Sequence, residues 1–250
     1  MTRYFGVFVA IQILLFKFAL LKLVHRVCEE GNPHLKLNEK KLKIAIEKTH
    51  IQQMPQVMFP GDIHVIDSIY HVNEAVRVLE HCPLVGFDTE TRPSFRKGVV
   101  HKTALIQIST PDVAFLFRTC KIGLPEVLAQ YLANPDCHKV GLSLHDDFKI
   151  LAKWGNIEPA GFIDLQDIVG EYCISDISLQ KIYAILFGKK IAKGQQLTNW
   201  EAPELTPAQQ NYGAVDAWAC LQIYDFLSQG LFDPNLSPYK IEENDEQEQD

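Results

Sequence analysis

Two acidic side chains, separated by one residue, stand at the end of an apolar segment. Asp88 and Glu90 follow the run Leu84-Val85-Gly86-Phe87, which is apolar on both faces, as in a central β-strand. Because side chains alternate along a strand, both carboxylates would point to the same side of the sheet. Two carboxylates so placed need water, a base or a cation nearby. An exposed acidic pair is the plain alternative, since about one D-x-E arises by chance in a chain of this length.

A second acidic position lies at a junction between a strand and a helix. Asp146 follows the predicted strand Lys139–Leu144 and begins a predicted helix that runs to Trp154. A carboxylate at this position could serve as a helix N-cap, or be favoured there by the helix dipole. The adjacent Asp147 could take either role instead.

A phenol and a third acid share one face of a late helix. Thr206, Pro207 and Gln209 form the pattern of a reciprocal capping box, so a helix is predicted from this point to about Leu227. Within it, Tyr212 and Asp216 are separated by four positions and lie one turn apart on the same face. The alternative for Tyr212 is a core tyrosine whose hydroxyl is hydrogen-bonded.

The three acidic elements become informative when they are considered in order along the chain. A D-x-E at a strand end, an Asp before a helix and a Y-x-x-x-D on a later helix supply four carboxylates and one phenol. Such a set suits two divalent cations held about 4 Å apart. Oxygen ligands select Mg²⁺ or Mn²⁺ rather than zinc.

The chain resembles the DEDDy branch of the DnaQ-like 3′→5′ exonucleases, a ribonuclease D-like family that includes the Werner syndrome exonuclease domain. The resemblance covers residues 62–228. The matching stretches are Val85-Gly86-Phe87-Asp88-Thr89-Glu90-Thr91, Thr103-Ala104-Leu105-Ile106-Gln107-Ile108, Val140-Gly141-Leu142 with 146–151, Ser178-Leu179-Gln180, and Thr198-Asn199-Trp200 through Tyr212 to Asp216. It implies an α/β fold of the ribonuclease H-like type, with a mixed five- to six-stranded sheet flanked by helices.

The resemblance also implies roles for the acidic residues. Asp88 would bridge both cations, and Glu90 and Asp216 would hold the cation that carries the attacking water. Tyr212 would orient that water. The implied activity is removal of nucleotides one at a time from the 3′ end of DNA or RNA by a two-metal-ion mechanism.

The remaining carboxylate of the family pattern could be either of two neighbours. We assign it to Asp146, as a catalytic residue and metal ligand, because its spacing to Leu151 and Gly155 then fits the family. Asp147 is the alternative.

Several further side chains are candidates for contact with a nucleic acid strand, since lysines bind phosphates and an aromatic ring stacks on bases. For each of them an ordinary surface or core role is the alternative. They are Thr89, Lys102, Lys193 and Trp200, with Arg92 and Phe95 as additional candidates.

An inactive nucleic-acid-binding scaffold on the same fold is the main rival interpretation. It is disfavoured because every acidic position of the family pattern is filled. The expected partner is single-stranded or 3′-end-accessible nucleic acid, and no small-molecule cofactor is implied.

The composition, 47% hydrophobic and 22% charged, indicates one globular domain. We expect an apolar segment over residues 1–27, a linker and lead-in over 28–61, the exonuclease domain over 62–230 and an acidic, disordered tail over 231–250. The last ten residues carry six acids, so the rest of the chain is close to neutral from a formal charge of −7.

Six scattered cysteines without a C-x-x-C pair indicate free thiols in a reducing cytoplasm. The apolar residues 4–24 include two lysines, and a membrane anchor there is the less favoured alternative to an upstream extension or a packed helix.

Overall fold

The computed structural model describes residues 42–94, 96, 98, 101–155 and 157–241. The predicted apolar segment 1–27, the first part of the predicted linker, Phe95 and residues 242–250 of the predicted acidic tail lie outside the described residues. The elements reported below belong to one unit that begins at Leu42. No helix within the described ranges is both long enough and apolar enough to cross a membrane.

Eight strands occur in this part of the chain. They are β1 (Lys43–Ile44), β2 (Asp62–Ile66), β3 (Leu84–Thr91), β4 (Thr103–Ser109), β5 (Val113–Phe117), β6 (His138–Gly141), β7 (Phe162–Asp164) and β8 (Lys240–Ile241).

The described residues also form eight α-helices and three short 3₁₀ turns. The helices are α1 (Lys48–Gln53), α2 (Ile69–Leu79), α3 (Thr119–Ile122), α4 (Glu126–Leu132), α5 (Leu144–Leu151), α6 (Gln166–Val169), α7 (Leu179–Phe187) and α8 (Pro207–Ser228). The 3₁₀ turns are Ala152–Trp154, Gly170–Tyr172 and Pro234–Leu236.

Six strands form one mixed sheet in the order β2-β5-β4-β3-β6-β7. The pairs β3–β4 and β4–β5 are antiparallel, whereas β2–β5, β3–β6 and β6–β7 are parallel. The predicted α/β fold with a mixed sheet of five to six strands and flanking helices is therefore confirmed.

The segment Thr110-Pro111-Asp112 between two apolar runs predicts a hairpin, which the antiparallel pairing of β4 and β5 confirms. A side chain holds its turn. Thr110 Oγ1 accepts a hydrogen bond from the backbone N–H of Val113 at 3.0 Å. This contact lets the chain reverse in the short polar segment between two strands. All seven residues of β4 are buried, as expected for a strand in the interior of the sheet.

The two faces of the sheet are covered by different helices. On one face, Phe87 and Ile108 belong to a core cluster that also contains Val76 of α2 and Leu128 of α4. On the other face lies α8, which has Ala214 and most of its other central residues buried. Because Asp88 follows Phe87 in the strand, its side chain points to the face that α8 covers.

Helix α8 begins as the sequence predicts. The Thr206 side chain accepts a hydrogen bond from Gln209 N at 3.2 Å, and Gln209 Oε1 accepts one from Thr206 N at 3.0 Å. This reciprocal cap fixes the first turn of the helix, and with it the phase in which the later residues face the sheet.

Residues 42–61 and 231–241 differ from the expected lead-in and disordered tail. Strand β1 pairs with β8 in an antiparallel ladder, and Ile44, Ile46 and Ile51 are buried. These residues are held by distant backbone, as in the hydrogen bond from Val57 N to Lys190 O at 2.9 Å. Short apolar segments in polar surroundings carry no periodicity, so the sequence pattern does not reveal such long-range pairing.

A close backbone approach sets the distance between α8 and β3. A Cβ atom added to Gly86 would lie 1.8 Å from the carbonyl oxygen of Ala217. Only glycine therefore allows the helix to lie against the strand at this point. Asp88, two residues further along β3, is brought close to α8 by the same contact.

We predict that Gly86→Ala lowers the free energy of unfolding by about 3 kcal/mol, because either the helix or the strand must shift to relieve the clash. Urea unfolding measures this change. Gly170→Ala is the matched control, since an added Cβ at Gly170 meets no atom within 4 Å and its φ is −62°. Equal stabilities of the two variants would contradict the close-packing argument.

Candidate active site

Three carboxylates meet where β3 faces α8. One ligand oxygen from each of Asp88, Glu90 and Asp216 lies within 4.8 Å of the others. Asp216 is buried, whereas Asp88 and Glu90 are partly accessible from solvent. The alternation of β3 and the packing of α8 thus bring together acids that are more than 120 positions apart in the chain.

Tyr212 joins this cluster from the turn of α8 that precedes Asp216. Its hydroxyl donates a hydrogen bond to the Asp216 carboxylate. The phenol ring packs against Trp200, with ring centroids 6.0 Å apart. The ring is therefore held by the core while the hydroxyl lies among the carboxylates.

The fourth acid of the cluster is Asp147, and the assignment to Asp146 is corrected. Asp147 Oδ1 accepts a hydrogen bond from the Thr89 hydroxyl, and its negative charge raises the pKa values of Asp88 and Glu90. The Asp146 side chain is 81% exposed and pairs with Lys149 at 2.9 Å.

The phase of α5 explains this difference. The helix begins at Leu144, two residues earlier than the sequence predicts. Each residue advances the helix by about 100°, so adjacent acids face different directions. Only Asp147 is directed towards β3.

Asp164, at the end of β7, holds the first turn of α5 in place and was not identified from the sequence. Its two carboxylate oxygens accept hydrogen bonds from Ser143 N at 3.0 Å and Leu144 N at 2.8 Å. Ser143 has a φ of 62° and its own side chain makes no capping hydrogen bond. Asp164 therefore supplies the N-cap from a neighbouring strand. The one signal for Asp164 in the sequence was its position after the apolar residues Phe162 and Ile163, which resembles the position of Asp88 after Phe87.

The carboxyl groups of the cluster are harder to ionise than ordinary acids. Burial, and then the charges of Asp216, Asp147 and Glu90, raise the pKa of Asp88 well above its usual value. Burial and the charges of Asp216 and Asp147 raise the pKa of Glu90 to about 9. Every charge that acts on these two groups is another carboxylate.

The pKa values of Asp216 and Asp147 are also raised, but by less. Burial raises the pKa of Asp216 to about 7, although the Tyr212 hydrogen bond opposes the change. Burial raises the pKa of Asp147 to about 6, against the opposing hydrogen bond from Thr89. Four ionised carboxylates in this space would repel one another strongly without a cation.

The cluster is compatible with a divalent metal ion. It offers only oxygen ligands, the type that Mg²⁺ and Mn²⁺ prefer. Gln107, which lies directly opposite Asp88 on β4, is fully buried, and neither its amide nitrogen nor its amide oxygen has a hydrogen-bond partner among the described residues. Unsatisfied polar atoms beside crowded acids fit a site that normally holds an ion and its water shell.

The other predicted contact residues fall in different places. Thr89 lies in the cluster through its bond to Asp147, whereas Lys193 is exposed in the segment between α7 and α8. Lys102 is exposed, with its Nζ 4.3 Å from the centre of the Trp154 ring. Arg92 pairs with Glu201 at 3.2 Å.

The interpretation of Trp200 as a base-stacking residue is wrong. Its side chain is 0% exposed and packs with Leu105, Leu116 and Tyr212 in a core cluster. A nucleic acid base cannot reach a ring that is closed off on all sides. The sequence shows that an indole is present near α8 but not that the sheet covers it.

A carboxylate cluster on a central strand, beside a tyrosine on a packed helix, is compatible with metal-dependent hydrolysis of phosphate esters. A family model described as 3′-5′ exonuclease matches residues 63–231. The chain therefore belongs to the 3′-5′ exonuclease family, and the predicted family and hydrolase class are confirmed.

Individual relatives agree with this assignment. An Arabidopsis thaliana protein named 3′-5′ exonuclease is 32% identical over 205 residues, covering 74% of this chain and 70% of that protein. The mouse (Mus musculus) bifunctional 3′-5′ exonuclease/ATP-dependent helicase WRN is 27% identical over 196 residues; this match covers 74% of this chain but only 14% of that protein.

The fold is also shared with a solved structure. The Nibbler EXO domain from Aedes aegypti superposes with a TM-score of 0.61 at 22% sequence identity, over 77% of this chain and 95% of that one. At this level of identity the likeness concerns the fold.

We predict that metal-free protein loses stability as the pH rises. The folded pKa values of Glu90, Asp216 and Asp147 lie above the usual values of about 4 in unfolded chains, so the folded state keeps protons that the unfolded state has lost. In EDTA, the contribution of the cluster to Tm should therefore decrease between about pH 5 and pH 9.

Saturating Mn²⁺ at neutral pH should raise Tm by roughly 5–10 °C, because a ligand at a hundred times its Kd adds about 2.7 kcal/mol. Differential scanning calorimetry measures both effects. Asp216→Asn should flatten the pH dependence in EDTA and reduce the response to Mn²⁺, while the exposed control Asp146→Asn should leave both unchanged. A Tm that does not respond to Mn²⁺ would exclude a metal site in this cluster.

Proposed function

We propose that this domain hydrolyses the terminal phosphodiester at the 3′ end of a nucleic acid strand with two divalent cations, Mg²⁺ or Mn²⁺. The proposal depends mainly on one observation, the convergence of three carboxylates within 4.8 Å beside a fourth. Residues 62–230 would carry the activity, and residues 42–61 would complete the fold around it.

The four carboxylates would share the cations unequally. Asp88 is central, since its pKa responds to the charges of Asp216, Asp147 and Glu90. We assign Asp88 to both cations, Glu90 and Asp216 to one, and Asp147 to the other. When bound, the cations supply a nucleophile at neutral pH and neutralise charge on the attacking and leaving oxygens.

Tyr212 would position the attacking water rather than remove its proton. Burial, and then the charges of Asp216, Glu90 and Asp88, raise the pKa of the phenol far above its usual value. The hydroxyl therefore remains protonated at neutral pH. It donates that proton to the Asp216 carboxylate, and its oxygen can accept a hydrogen bond from the attacking water. Packing against Trp200 fixes the direction of that bond.

The proposed substrate is single-stranded nucleic acid with an accessible 3′ end. The names of relatives leave the choice between DNA and RNA open. A Shewanella relative, 29% identical over 164 residues, is named Ribonuclease D, whereas the name of the mouse relative specifies no type of nucleic acid. None of the five cysteines of the described residues forms a disulfide, which supports a reducing location such as the cytoplasm.

The inactive scaffold is the less favoured alternative. A binding module has no physical reason to keep four mutually repelling acids in one place. The raised pKa values of these acids represent a cost that a bound cation would remove.

We predict that Asp147→Asn reduces the rate of digestion by at least about 100-fold, because metal catalysis depends on its ligands. Asp146→Asn is the matched neighbour and should digest at the wild-type rate. The assay follows matched DNA and RNA decamers, each with the 3′ or the 5′ end blocked, in Mn²⁺ and in EDTA.

The two variants test which acid is the metal ligand, and the blocked ends test the polarity of digestion. Loss of activity in Asp146→Asn with normal activity in Asp147→Asn would reverse the ligand assignment. Digestion of strands with blocked 3′ ends would contradict the proposed polarity. A wild-type protein that digests none of the substrates would support the scaffold alternative.

We predict that Tyr212→Phe lowers kcat by about 10–1000-fold while the affinity for Mn²⁺ stays within about twofold of wild type, because the change removes an orienting hydroxyl but no ligand. Single-turnover digestion gives the rate, and isothermal titration calorimetry gives the metal affinity. A phenylalanine variant with unchanged kcat would show that the hydroxyl has no part in the reaction.

A further inference from the structure

A cavity that is lined by none of the four acids opens near the acidic cluster. Its volume is about 650 Å³, which lies in the range of small-molecule sites. Four segments of the chain line it. The lining residues are His101, Lys102, Thr103, Cys120, Lys121, Trp154, Glu201, Ala202 and Pro203. We call this space the Trp154 cavity.

The Trp154 cavity adjoins the proposed reaction site through β3 and β4. Thr103, a lining residue, lies opposite Thr91, which directly follows Glu90. Arg92, the next residue of the chain, pairs with the lining residue Glu201 at 3.2 Å. A strand whose 3′ end lies at Glu90 therefore needs to extend by only one or two nucleotides to reach the cavity.

The charge around the cavity is suited to phosphate. Lys102 and Lys121 are both exposed at its surface. Lys121 has a partner in Asp67, but their atoms are 3.5 Å apart and both side chains are largely open to solvent, so this pair is weak. The one acidic lining residue, Glu201, is already engaged by Arg92.

A buried arginine adds positive charge beneath the cavity and shapes its wall. The Arg118 guanidinium donates hydrogen bonds to the carbonyl oxygens of Trp200, Ala202 and Pro203. These carbonyls are neutral, so the charge of the arginine is not cancelled by them. Through these hydrogen bonds Arg118, which is almost fully buried, holds the loop that carries three of the lining residues, Glu201, Ala202 and Pro203.

The aromatic residue of the cavity is oriented before any ligand binds. The Trp154 indole N–H donates a hydrogen bond to Thr103 O at 3.2 Å, which ties the ring to the start of β4. The ring is partly exposed, unlike the buried rings of Trp200 and Trp218. The Lys102 ammonium lies 4.3 Å from the centre of this ring, so an aromatic ring and a cation occupy the same small area.

We propose that the Trp154 cavity binds one nucleotide of the single strand whose 3′ end lies at the acidic cluster. Lys102 and Lys121 bind its phosphate, and Trp154 stacks on its base. Stacking on a tryptophan beside a cation is tolerant of base identity, as a nuclease that removes successive nucleotides requires. The assignment rests on the proposed exonuclease function.

Binding is tested without turnover, in EDTA, by fluorescence anisotropy of labelled dT and rU decamers. The double variant Lys102→Ala, Lys121→Ala should raise Kd at least about tenfold and lower the slope of log K against log salt by about 0.7, because both lysines bind one phosphate. Lys189→Ala removes an exposed lysine outside the cavity and should leave Kd unchanged. An unchanged Kd in the double variant would overturn the proposal.

The tryptophan is tested separately. Trp154→Ala should raise Kd about tenfold, and Trp154→Phe should recover part of that loss because a phenyl ring still stacks. Decamer binding should quench the intrinsic fluorescence of the wild type, and this quenching should be absent in Trp154→Phe. Quenching that persists in Trp154→Phe would place the base elsewhere and overturn the assignment.

Kinetics distinguish a remote nucleotide site from the reaction site itself. The lysine double variant should raise KM for a decamer while leaving kcat, and the KM for thymidine 5′-p-nitrophenyl phosphate, unchanged, since a substrate with a single nucleotide ends before the cavity. An equal rise for both substrates would contradict a separate site. If the wild type hydrolyses neither, the proposed function fails, while the binding measurements still decide whether the cavity takes a strand.

Discussion

Mutual repulsion among four carboxylates is the constraint on which the rest of this structure depends. Asp88, Glu90, Asp147 and Asp216 would separate if their backbones were free to move. They are held together because α8 lies against β3 at a point where Gly86 has no side chain and Ala217 presents its carbonyl oxygen. The same close packing that stabilises the core therefore maintains an electrostatic arrangement that is unfavourable until a cation is bound.

Polar groups at the edge of the core hold the segments that packing alone does not fix. Asp164 caps α5 from a separate strand and so determines which of two adjacent acids faces the cluster. Arg118 performs a similar task for the loop before α8 by binding its carbonyl oxygens. Both contacts connect residues that are far apart in the chain, and both control surfaces to which the substrate would bind.

Local patterns in the sequence predicted much of the fold. The sequence predicts strands over 103–109 and 113–117 and a helix over 179–187, which are the bounds of β4, β5 and α7, and the capping box at Thr206 marks the start of α8. These elements depend on periodicity and on contacts between near neighbours, which sequence records directly. Residues 42–61 were not identified as part of the domain, because their few buried isoleucines are fixed by strands and loops more than 100 positions away.

The sequence by itself determined which chemistry is available. Asp88 with Glu90 and Tyr212 with Asp216 are pairs whose common direction follows from the repeat of a strand or a helix, and the family resemblance implies their role. The tertiary structure alone showed that Asp147, rather than Asp146, faces the cluster. It also showed that the Trp200 ring is covered, whereas the Trp154 ring is accessible. Both decisions depend on the rotation of a helix or the cover of a sheet, which are properties of packing between distant segments and leave no mark on local spacing.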